Sequence, residues 1–267
     1  MQMIESETQP SVWERARARL LLWWCLGLLG TGTLLWTPVA ALLRVVLPVR
    51  TGHRVGRAVA RRFFAFYLAN LRAIGGALIE LDALEPLARE RGILIAANHP
   101  CLLDALMLLS CLPDGVPLMK ADLERSAFWG APAHLAGYIS NRNILEAVRV
   151  ARDRLAEGAQ VLVFPEGTRT NPWPLGALRG ALAIIAQRAQ VPVQTVIIET
   201  DTLFLSKGWP LLRVPRLPVH FRVRLGRRFE PPQDNARFMT ELRAHFEDEL
   251  ARSELRPPSD GQPGRPQ

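Results

Sequence analysis

The chain has 267 residues, of which 49% are hydrophobic and 22% are charged, a balance that fits one α/β domain with an amino-terminal appendage. Its net charge of +8 favours nucleic acid, an anionic membrane surface or anionic substrates as partners. No nucleic-acid-binding motif is present and aromatic residues do not alternate with the basic runs, so we exclude nucleic acid and rank the membrane first. The three cysteines lack the paired spacing of a metal site, and we interpret them as small hydrophobic residues in a reducing compartment.

A short basic segment with Arg15, Arg17 and Arg19 precedes an uncharged apolar stretch over residues 20–43. A bilayer core needs about 20 apolar residues in a helix, so this stretch is long enough to span a membrane. Arginines also follow it, so the positive-inside rule assigns no orientation. Several glycines and Pro38 interrupt it, which makes a re-entrant hairpin an equal alternative, and a pair of buried helices in a soluble protein is the third interpretation.

Residues 50–71 mix arginines with apolar residues, among them Phe63, Phe64 and Tyr67. This pattern predicts a basic amphipathic helix. Its position directly after the apolar stretch favours an aromatic face that lies on anionic lipid. The alternative is a helix that packs on the protein core and leaves its arginine face in solvent.

A strand-like run over residues 93–97 is followed by a histidine and, five positions later, by a carboxylate. Pro100 suits the first turn of a helix, where no backbone donor is needed, and Asp104 then lies about one turn into that helix. A carboxylate in this position can orient His99 and stabilise its imidazolium while the other ring nitrogen acts as a base. No serine lies within the motif, so the activated hydroxyl would belong to a substrate. The alternative is a helix cap beside a structural histidine.

A second buried strand is predicted over residues 161–164, and the sequence Pro-Glu-Gly-Thr-Arg-Thr follows it at 165–170. Gly167 allows the backbone to approach a ligand closely, and Arg169 offers a planar fork for phosphate or carboxylate. Glu166 is suited to accept a hydrogen bond from a substrate hydroxyl or to pair with Arg169. The alternative is a surface loop with an ordinary ion pair.

Together, the His-X4-Asp and Phe-Pro-Glu-Gly-Thr-Arg motifs resemble those of the glycerolipid acyltransferase family, whose bacterial members make phosphatidic acid from lysophosphatidic acid. The resemblance covers residues 80 to 225 or so. It implies an α/β fold with a mixed, largely parallel sheet flanked by helices, after an amino-terminal membrane-associated helical segment. It also implies acyl transfer from an acyl thioester, carried by acyl carrier protein or coenzyme A, to the hydroxyl of a lysophospholipid such as 1-acyl-glycerol-3-phosphate. His99 would be the general base and Asp104 its orienting group.

The resemblance further implies a set of substrate-binding residues, namely Lys120, Arg142, Glu166, Gly167, Thr168 and Arg169. Lys120 ends a predicted strand over residues 116–120, where a plain surface lysine is the alternative. Two positions depart from the family pattern. Asn141 stands where the phosphatidate-forming branch usually carries aspartate, and Thr195 stands where a second proline is usual. These departures leave another acceptor open, such as a lyso-ornithine lipid or a specialised metabolite.

Two further functions compete with acyl transfer. One is a thioester or lipid hydrolase with Cys101 as the nucleophile beside His99. The other is a non-catalytic module that keeps the fold and only binds membranes.

We therefore predict a membrane-associated helical segment over residues 1–75, an acyltransferase catalytic domain over 76–255 and a disordered tail over 256–267, where Pro, Gly, Ser and Gln dominate. The expected partners are the acyl thioester, a lysophospholipid and an anionic membrane surface. No metal or bound cofactor is expected. The expected location is the cytoplasmic face of the bacterial inner membrane.

Overall fold

The computed structural model describes residues 11–257, which form a seven-stranded sheet with helices on both faces and a long helical pair in front of it. The helices are α1 (Val12–Val46), α2 (Val49–Ala73), α3 (Asp104–Cys111), α4 (Ala121–Glu124), α5 (Gly130–Ala136), α6 (Ile144–Ala156), α7 (Ala181–Ala189) and α8 (Asn235–Ala251), with a 3₁₀ helix at Asp82–Arg89. The strands are β1 (Ala77–Glu80), β2 (Ile93–Ala97), β3 (Gly115–Met119), β4 (Ile139–Ser140), β5 (Gln160–Val163), β6 (Val193–Thr200) and β7 (Val219–Phe229).

The sheet order is β1-β7-β6-β2-β5-β3-β4. The five strands from β6 to β4 are mutually parallel, β7 is antiparallel to β6, and β1 is parallel to β7. Every residue of β2, β5 and β6 is buried, as expected for parallel strands covered on both faces. The predicted mixed, largely parallel sheet is confirmed.

This topology brings the predicted motifs to one edge of the sheet. The loops after β2, β5, β3 and β4 all leave the carboxyl ends of neighbouring parallel strands. Neighbouring strands lie about 4.8 Å apart, so the ends of β2 and β3, with β5 between them, are separated by roughly 10 Å. In open α/β sheets this edge is where ligands bind.

The apolar stretch over residues 20–43 lies within the single helix α1, which runs without a break through its glycines and Pro38. The helix starts with a capping box in which Ser11 and Glu14 each bond the other's backbone amide. Its most apolar 18-residue window has a mean hydropathy of 1.6 and is 11% buried. The hairpin and the buried helix pair are therefore wrong. In the described part of the chain, α1 is the one helix long and apolar enough to cross a membrane.

Helix α2 differs from its prediction, because most of its aromatic face packs on the protein rather than lying free for lipid. Phe64, Tyr67 and Leu68 are buried in the core together with side chains of β2 and α3. Phe66 remains exposed. The sequence pattern could not separate these cases, because a core and a bilayer present the same apolar surroundings to an amphipathic helix. The domain boundary at residue 75 stays a prediction, and most of the predicted tail lies outside the described residues.

Candidate active site

The turn between β2 and α3 brings the predicted histidine and aspartate into contact. Nδ1 of His99 lies 2.8 Å from Oδ2 of Asp104. The aspartate side chain is completely buried, whereas that of His99 is 16% exposed. Nε2 of His99 has no hydrogen-bond partner among residues 11–257. A buried carboxylate therefore orients the ring, and the second nitrogen is left free to exchange a proton.

Cys101 helps to hold the buried carboxylate and is poorly suited to be a nucleophile. Its backbone amide donates to Oδ2 of Asp104 at 2.8 Å, and its thiol donates to Oδ1 at 3.2 Å. These bonds offset part of the cost of burying the charge. Burial, and next the negative charge of Asp104, raise the pKa of the Cys101 thiol well above its ordinary value. The thiolate that a hydrolase would need is thus strongly disfavoured.

Two neighbours fix the backbone and the ring of the histidine. The amide group of Asn98 forms two hydrogen bonds of 2.8 Å with the backbone of Ile198 in β6, donating to its carbonyl and accepting from its amide. The ring of His99 stacks on Phe164, with 4.1 Å between the ring centroids and 19° between the planes. Phe164, the first residue after β5, thus supports His99, the second residue after β2.

Glu166 joins the two motifs from inside the protein. Its side chain is buried, and it accepts hydrogen bonds from the backbone amide of His99 at 3.0 Å, the hydroxyl of Thr170 at 2.8 Å and the amide of Gly176 at 2.8 Å. The amide of Thr170 in turn donates to the carbonyl of His99 at 2.7 Å. We expected this carboxylate to meet a substrate hydroxyl or Arg169. It makes no ion pair with Arg169 in the described chain, and a contact with a substrate hydroxyl stays a prediction. Its protein partners make it a latch between the two loops.

Arg169 also forms hydrogen bonds with partners that the sequence did not indicate. Its Nη1 donates to the backbone carbonyls of Leu205 and Ser206, both at 2.9 Å. The amide of Leu102 also donates to the Leu205 carbonyl, at 3.1 Å. The arginine therefore ties the loop between β6 and β7 to the β5 loop, and its hydrogen bonds in the described chain are all to backbone.

An open cleft of about 470 Å³ lies at the same sheet edge, on the β5–β3–β4 side. Its lining includes Lys120, Asp122, Asn141, Thr168, Arg179 and Lys207. Lys120, Gly167 and Thr168 were predicted from the sequence as substrate-binding residues. Arg142 is exposed at the end of β4 and does not line the cleft. The described residues include no group of His, Cys, Asp or Glu that could hold a metal ion.

Sequence reasoning missed two of the cleft's cations. Arg179 lies in the long loop between β5 and α7, and Lys207 lies in the loop that follows β6. The only available signal was that both belong to loops that leave the carboxyl edge of the sheet. Which of the many basic residues in such loops meet at one place depends on contacts between distant segments.

Comparisons with known proteins agree with this architecture. A family model described as Acyltransferase matches residues 78–199. The 1-acyl-sn-glycerol-3-phosphate acyltransferase alpha of Mus musculus is 28% identical over 180 residues, or 64% of this chain and 62% of that protein. The lyso-ornithine lipid O-acyltransferase of Pseudomonas aeruginosa is 33% identical over 193 residues, 68% of this chain and 69% of that protein.

A solved structure shares the fold. The crystal structure of the 1-acyl-sn-glycerophosphate (LPA) acyltransferase PlsC from Thermotoga maritima superposes with a TM-score of 0.65 at 16% identity, covering 91% of this chain and 98% of that one. The chain spans about three fifths of the length of the mouse relative and about half of its human counterpart. The chain belongs to the acyltransferase family.

Proposed function

We propose that this protein transfers a fatty acyl group from an acyl thioester, carried by acyl carrier protein or coenzyme A, to the hydroxyl of a lysophospholipid, with 1-acyl-glycerol-3-phosphate as the acceptor. The observation that carries the proposal is the contact of 2.8 Å between Nδ1 of His99 and the buried Asp104, which leaves Nε2 without a partner in the described chain. Family membership and the anion-attracting cleft beside this pair add support.

In the proposed reaction, Nε2 of His99 accepts the proton of the acceptor hydroxyl while the oxygen attacks the thioester carbonyl. Asp104 stabilises the imidazolium that forms and keeps the ring in the tautomer that carries its proton on Nδ1. When the tetrahedral intermediate collapses, the carbon–sulfur bond breaks and the leaving thiolate takes the proton from Nε2. An ester and a free thiol result, and the histidine returns to its starting state.

Holding both substrates at this edge lowers the barrier because two partners no longer have to meet by diffusion, an effect that can reach about 7–11 kcal/mol. Glu166 contributes by fixing the loops after β2 and β5 relative to each other. Lys120, Gly167 and Thr168 contribute as parts of the cleft. Arg142 contributes from its exposed position beside the cleft, where its charge attracts an anionic headgroup.

We further propose that the protein works on the cytoplasmic face of a bacterial inner membrane, where acceptor and product are both lipids. Helix α1 exposes apolar side chains along its length, including Trp23, Trp24 and Leu35. Helix α2 exposes Arg61 and Arg62, which suits an anionic surface. Flotation with liposomes of increasing phosphatidylglycerol content is expected to show stronger binding as the negative charge rises.

The decisive experiment is an acyl-transfer assay with a labelled acyl thioester and a panel of lysolipid acceptors, run on wild type, His99→Ala and His134→Ala. His134 is the matched control because it is a partly exposed histidine on α5. Wild type and His134→Ala should form a diacyl product, whereas His99→Ala should lose about 10²- to 10⁴-fold in rate. Folded wild-type protein that acylates no acceptor would overturn the proposal.

One alternative acceptor is favoured by a specific observation. The lyso-ornithine lipid O-acyltransferase of Pseudomonas aeruginosa is 33% identical to the chain, and Asn141 stands where the phosphatidate-forming branch usually has aspartate. The acceptor panel therefore includes lyso-ornithine lipid beside lysophosphatidic acid. The acceptor with the higher kcat/KM identifies the substrate.

A further inference from the structure

The loop over residues 201–218, which connects β6 to β7, contains a tight turn with two exposed leucines at its tip. The backbone amide of Arg213 donates to the carbonyl of Pro210 at 2.9 Å, which closes a four-residue β-turn. Leu211 and Leu212 occupy its two central positions and are 51% and 59% exposed. Such positions usually carry Gly, Pro, Asn, Asp or Ser. Two adjacent leucines there expose apolar surface that an apolar partner would bury.

The turn is built on a fixed aromatic support. Nε1 of Trp209 donates to the carbonyl of Arg213 at 3.1 Å, and the guanidinium of Arg213 lies 4.7 Å from the centre of the Trp209 ring, within the range of a cation–π contact. The same ring meets Phe204 edge-on, with 5.9 Å between the ring centroids and 89° between the planes. The residues on both sides of the leucines are therefore clasped together, and the tip projects from a packed base.

The surroundings of the tip are basic. No Asp or Glu occurs between residues 202 and 229, whereas Lys207 and Arg213 are exposed close to the tip in the chain. The one carboxylate of the loop, Asp201, accepts a hydrogen bond of 3.1 Å from the amide of His220 at the base of the loop. An apolar tip beside cations matches a surface that is apolar inside and anionic outside, which describes a bilayer that contains anionic lipids.

The position of the turn follows the distribution of exposed apolar side chains over the whole catalytic domain. Nine large hydrophobic side chains are exposed between residues 74 and 257. Seven of them lie in connections that leave the carboxyl ends of β2, β3, β4 and β6, and the exceptions are Leu78 in β1 and Ile184 in α7. Because β7 is antiparallel to β6, the loop that joins them starts and finishes at this same edge. The leucine turn thus belongs to the edge at which the domain exposes most of its apolar surface.

The loop also lies on the same side of the sheet as the membrane-associated helix α1. Trp209 and Leu217 of the loop pack against one of the two core clusters, and Cys25 and Leu28 of α1 pack against that same cluster. A lipid surface that contacts α1 is therefore on the side from which the loop projects. An acidic soluble protein would also be attracted by the cations, but it gives no reason for an apolar tip to share a side with α1.

The base of the loop is bonded to the segments that form the candidate active site. The carbonyl of Leu205 accepts from the amide of Leu102, three residues after His99, at 3.1 Å. It also accepts from Nη1 of Arg169 at 2.9 Å. A force or a position imposed on the turn is thus passed by hydrogen bonds to the loops that follow β2 and β5.

We propose that the turn at residues 210–213 is a second membrane contact, which inserts its two leucines into the leaflet of an anionic bilayer. This contact holds the carboxyl edge of the sheet against the lipid surface, so that a lysolipid reaches His99 without leaving the membrane. The inference rests on the proposed acyl transfer at a membrane and adds to α1 and α2 a contact made by the catalytic domain itself.

The first test places a fluorescent probe on the tip of the full-length protein. Leu212→Cys is made together with Cys25→Ala and Cys111→Ala and is labelled with a nitrobenzoxadiazole (NBD) maleimide, while the buried Cys101 is left in place. In phosphatidylglycerol vesicles that carry spin-labelled lipids, the emission of this probe should shift to shorter wavelength and be quenched.

The matched control is the same label at Leu78→Cys. Leu78 is 53% exposed, close to the value for Leu212. It points away from the core cluster that its neighbour Ile79 joins, and so away from α1. Its emission should neither shift nor be quenched by the lipid label. Equal quenching of the two probes, or none of the probe at 212, would overturn the inference.

The second test asks whether the contact serves catalysis, with the double variant Leu211→Gln, Leu212→Gln and the control Leu78→Gln. Lysophosphatidic acid is presented either in vesicles or as a short-chain form that stays monomeric in water. With vesicles, kcat/KM of the double variant should fall about tenfold, because moving half-exposed leucines from water into lipid is worth about that factor. With the monomeric acceptor it should equal that of wild type. All three proteins should still float with vesicles, since α1 is unchanged.

The outcomes separate this inference from the proposed function. If wild type makes phosphatidic acid and the probe at 212 is not quenched, the inference fails and the function stands. If the double variant loses activity equally on the monomeric acceptor, or if its KM rises only for a thioester carried by acyl carrier protein, the turn serves the site or the donor and the inference fails. If wild type acylates no acceptor while the probe at 212 is quenched, the function fails and the membrane contact stands.

Discussion

The His–Asp pair and the cationic cleft lie at the same edge of the sheet but are built in opposite ways. Asp104 is completely buried, and its oxygens accept from His99 and from both the amide and the thiol of Cys101. Lys120, Arg179 and Lys207 are exposed and have no ion-pair partner in the described chain. The groups that we propose to carry the chemistry are thus already fixed in the protein without a substrate, and the cations of the cleft keep their charge available for a ligand.

The difference has a physical reason. A base that must accept a proton at one point in space gains from a fixed orientation, because reorganisation during the reaction adds to the barrier. A cation that attracts a ligand from solution gains from an unpaired state, because an existing ion pair would have to be broken first. Glu166 and Arg169 connect the two regions, the first to the histidine loop and the second to the lysine loop.

Removing the charge of the buried carboxylate should produce the largest effect. Asp104→Asn keeps the shape but no longer stabilises the imidazolium, so kcat should fall about 10³- to 10⁴-fold while the KM for the acceptor stays close to wild type. Steady-state kinetics at saturating thioester measures this. Asp114→Asn is the control, because Asp114 pairs with Arg57 before β3, at the opposite edge of the sheet. An equal loss of kcat in both variants would contradict the comparison.

Breaking the latch should affect both stability and catalysis. In Glu166→Gln one of the two carboxylate oxygens becomes an NH₂ group. This group cannot accept a hydrogen bond and instead presents a donor to the protein donors at that position. The free energy of unfolding should therefore fall by about 1–3 kcal/mol. The kcat should fall as well, because the amide of His99 loses a partner. Denaturant titration and kinetics measure the two effects.

Thr170→Val is the matched control for the latch, since it removes one donor to Glu166 and leaves the carboxylate in place. Its loss of stability should be smaller than that of Glu166→Gln, and its kcat should remain near wild type. A Glu166→Gln variant with wild-type stability and a raised acceptor KM would instead indicate direct contact between Glu166 and the acceptor.

Replacing the loop-fixing arginine should change binding more than catalysis. Arg169→Lys keeps the charge and leaves every tryptic site in place, but a lysine reaches the carbonyls of Leu205 and Ser206 without the rigid fork. Trypsin should cleave at Lys207 faster, and the KM for lysophosphatidic acid should rise about threefold to fivefold at unchanged kcat. Arg188→Lys is the control. Unaltered proteolysis together with a raised KM would mean that Arg169 touches the acceptor itself.

The titration of His53, which belongs to neither region, should affect stability alone. Burial, and next the charges of Arg154 and Arg57, lower the pKa of His53 to about 4, against smaller opposing contributions from Glu157 and Asp114. The folded protein therefore binds fewer protons than the unfolded chain between this pKa and the ordinary value of about 6.5. The stability that neutral His53 contributes is fully present above the pKa of the unfolded chain, and it is lost as the pH falls toward the pKa of the folded protein.

Because His53 is partly exposed, its contribution should be about 1 kcal/mol. His53→Gln should flatten the pH dependence of the unfolding free energy in this window. The pH profile of kcat should keep its wild-type shape, since His53 lies on α2 and packs against Gly137 rather than the His–Asp pair. A displaced kcat profile would contradict this separation.

Much of the fold was predictable because its signals are local. The apolar runs that become β2 and β5, the turn that carries His99 and the helix that begins at Asp104 all lie within short windows of sequence. The uncharged stretch of α1 could be recognised as long enough to span a membrane because its length only had to be compared with the thickness of a bilayer. Strand, turn and helix preferences act over a few residues, so they can be read without knowledge of the rest of the chain.

The sequence by itself thus determined the class of sheet, the strands that the two motifs follow and the pairing of His99 with Asp104. Only the tertiary structure decided that the aromatic face of α2 packs on the core, that Glu166 and Arg169 bond to the protein, and that Arg179 and Lys207 join Lys120 in one cleft. These outcomes depend on contacts between segments far apart in the chain. A side chain that can bond equally well to a substrate or to a distant backbone carbonyl looks the same in the sequence, and the packing of the loops decides between them.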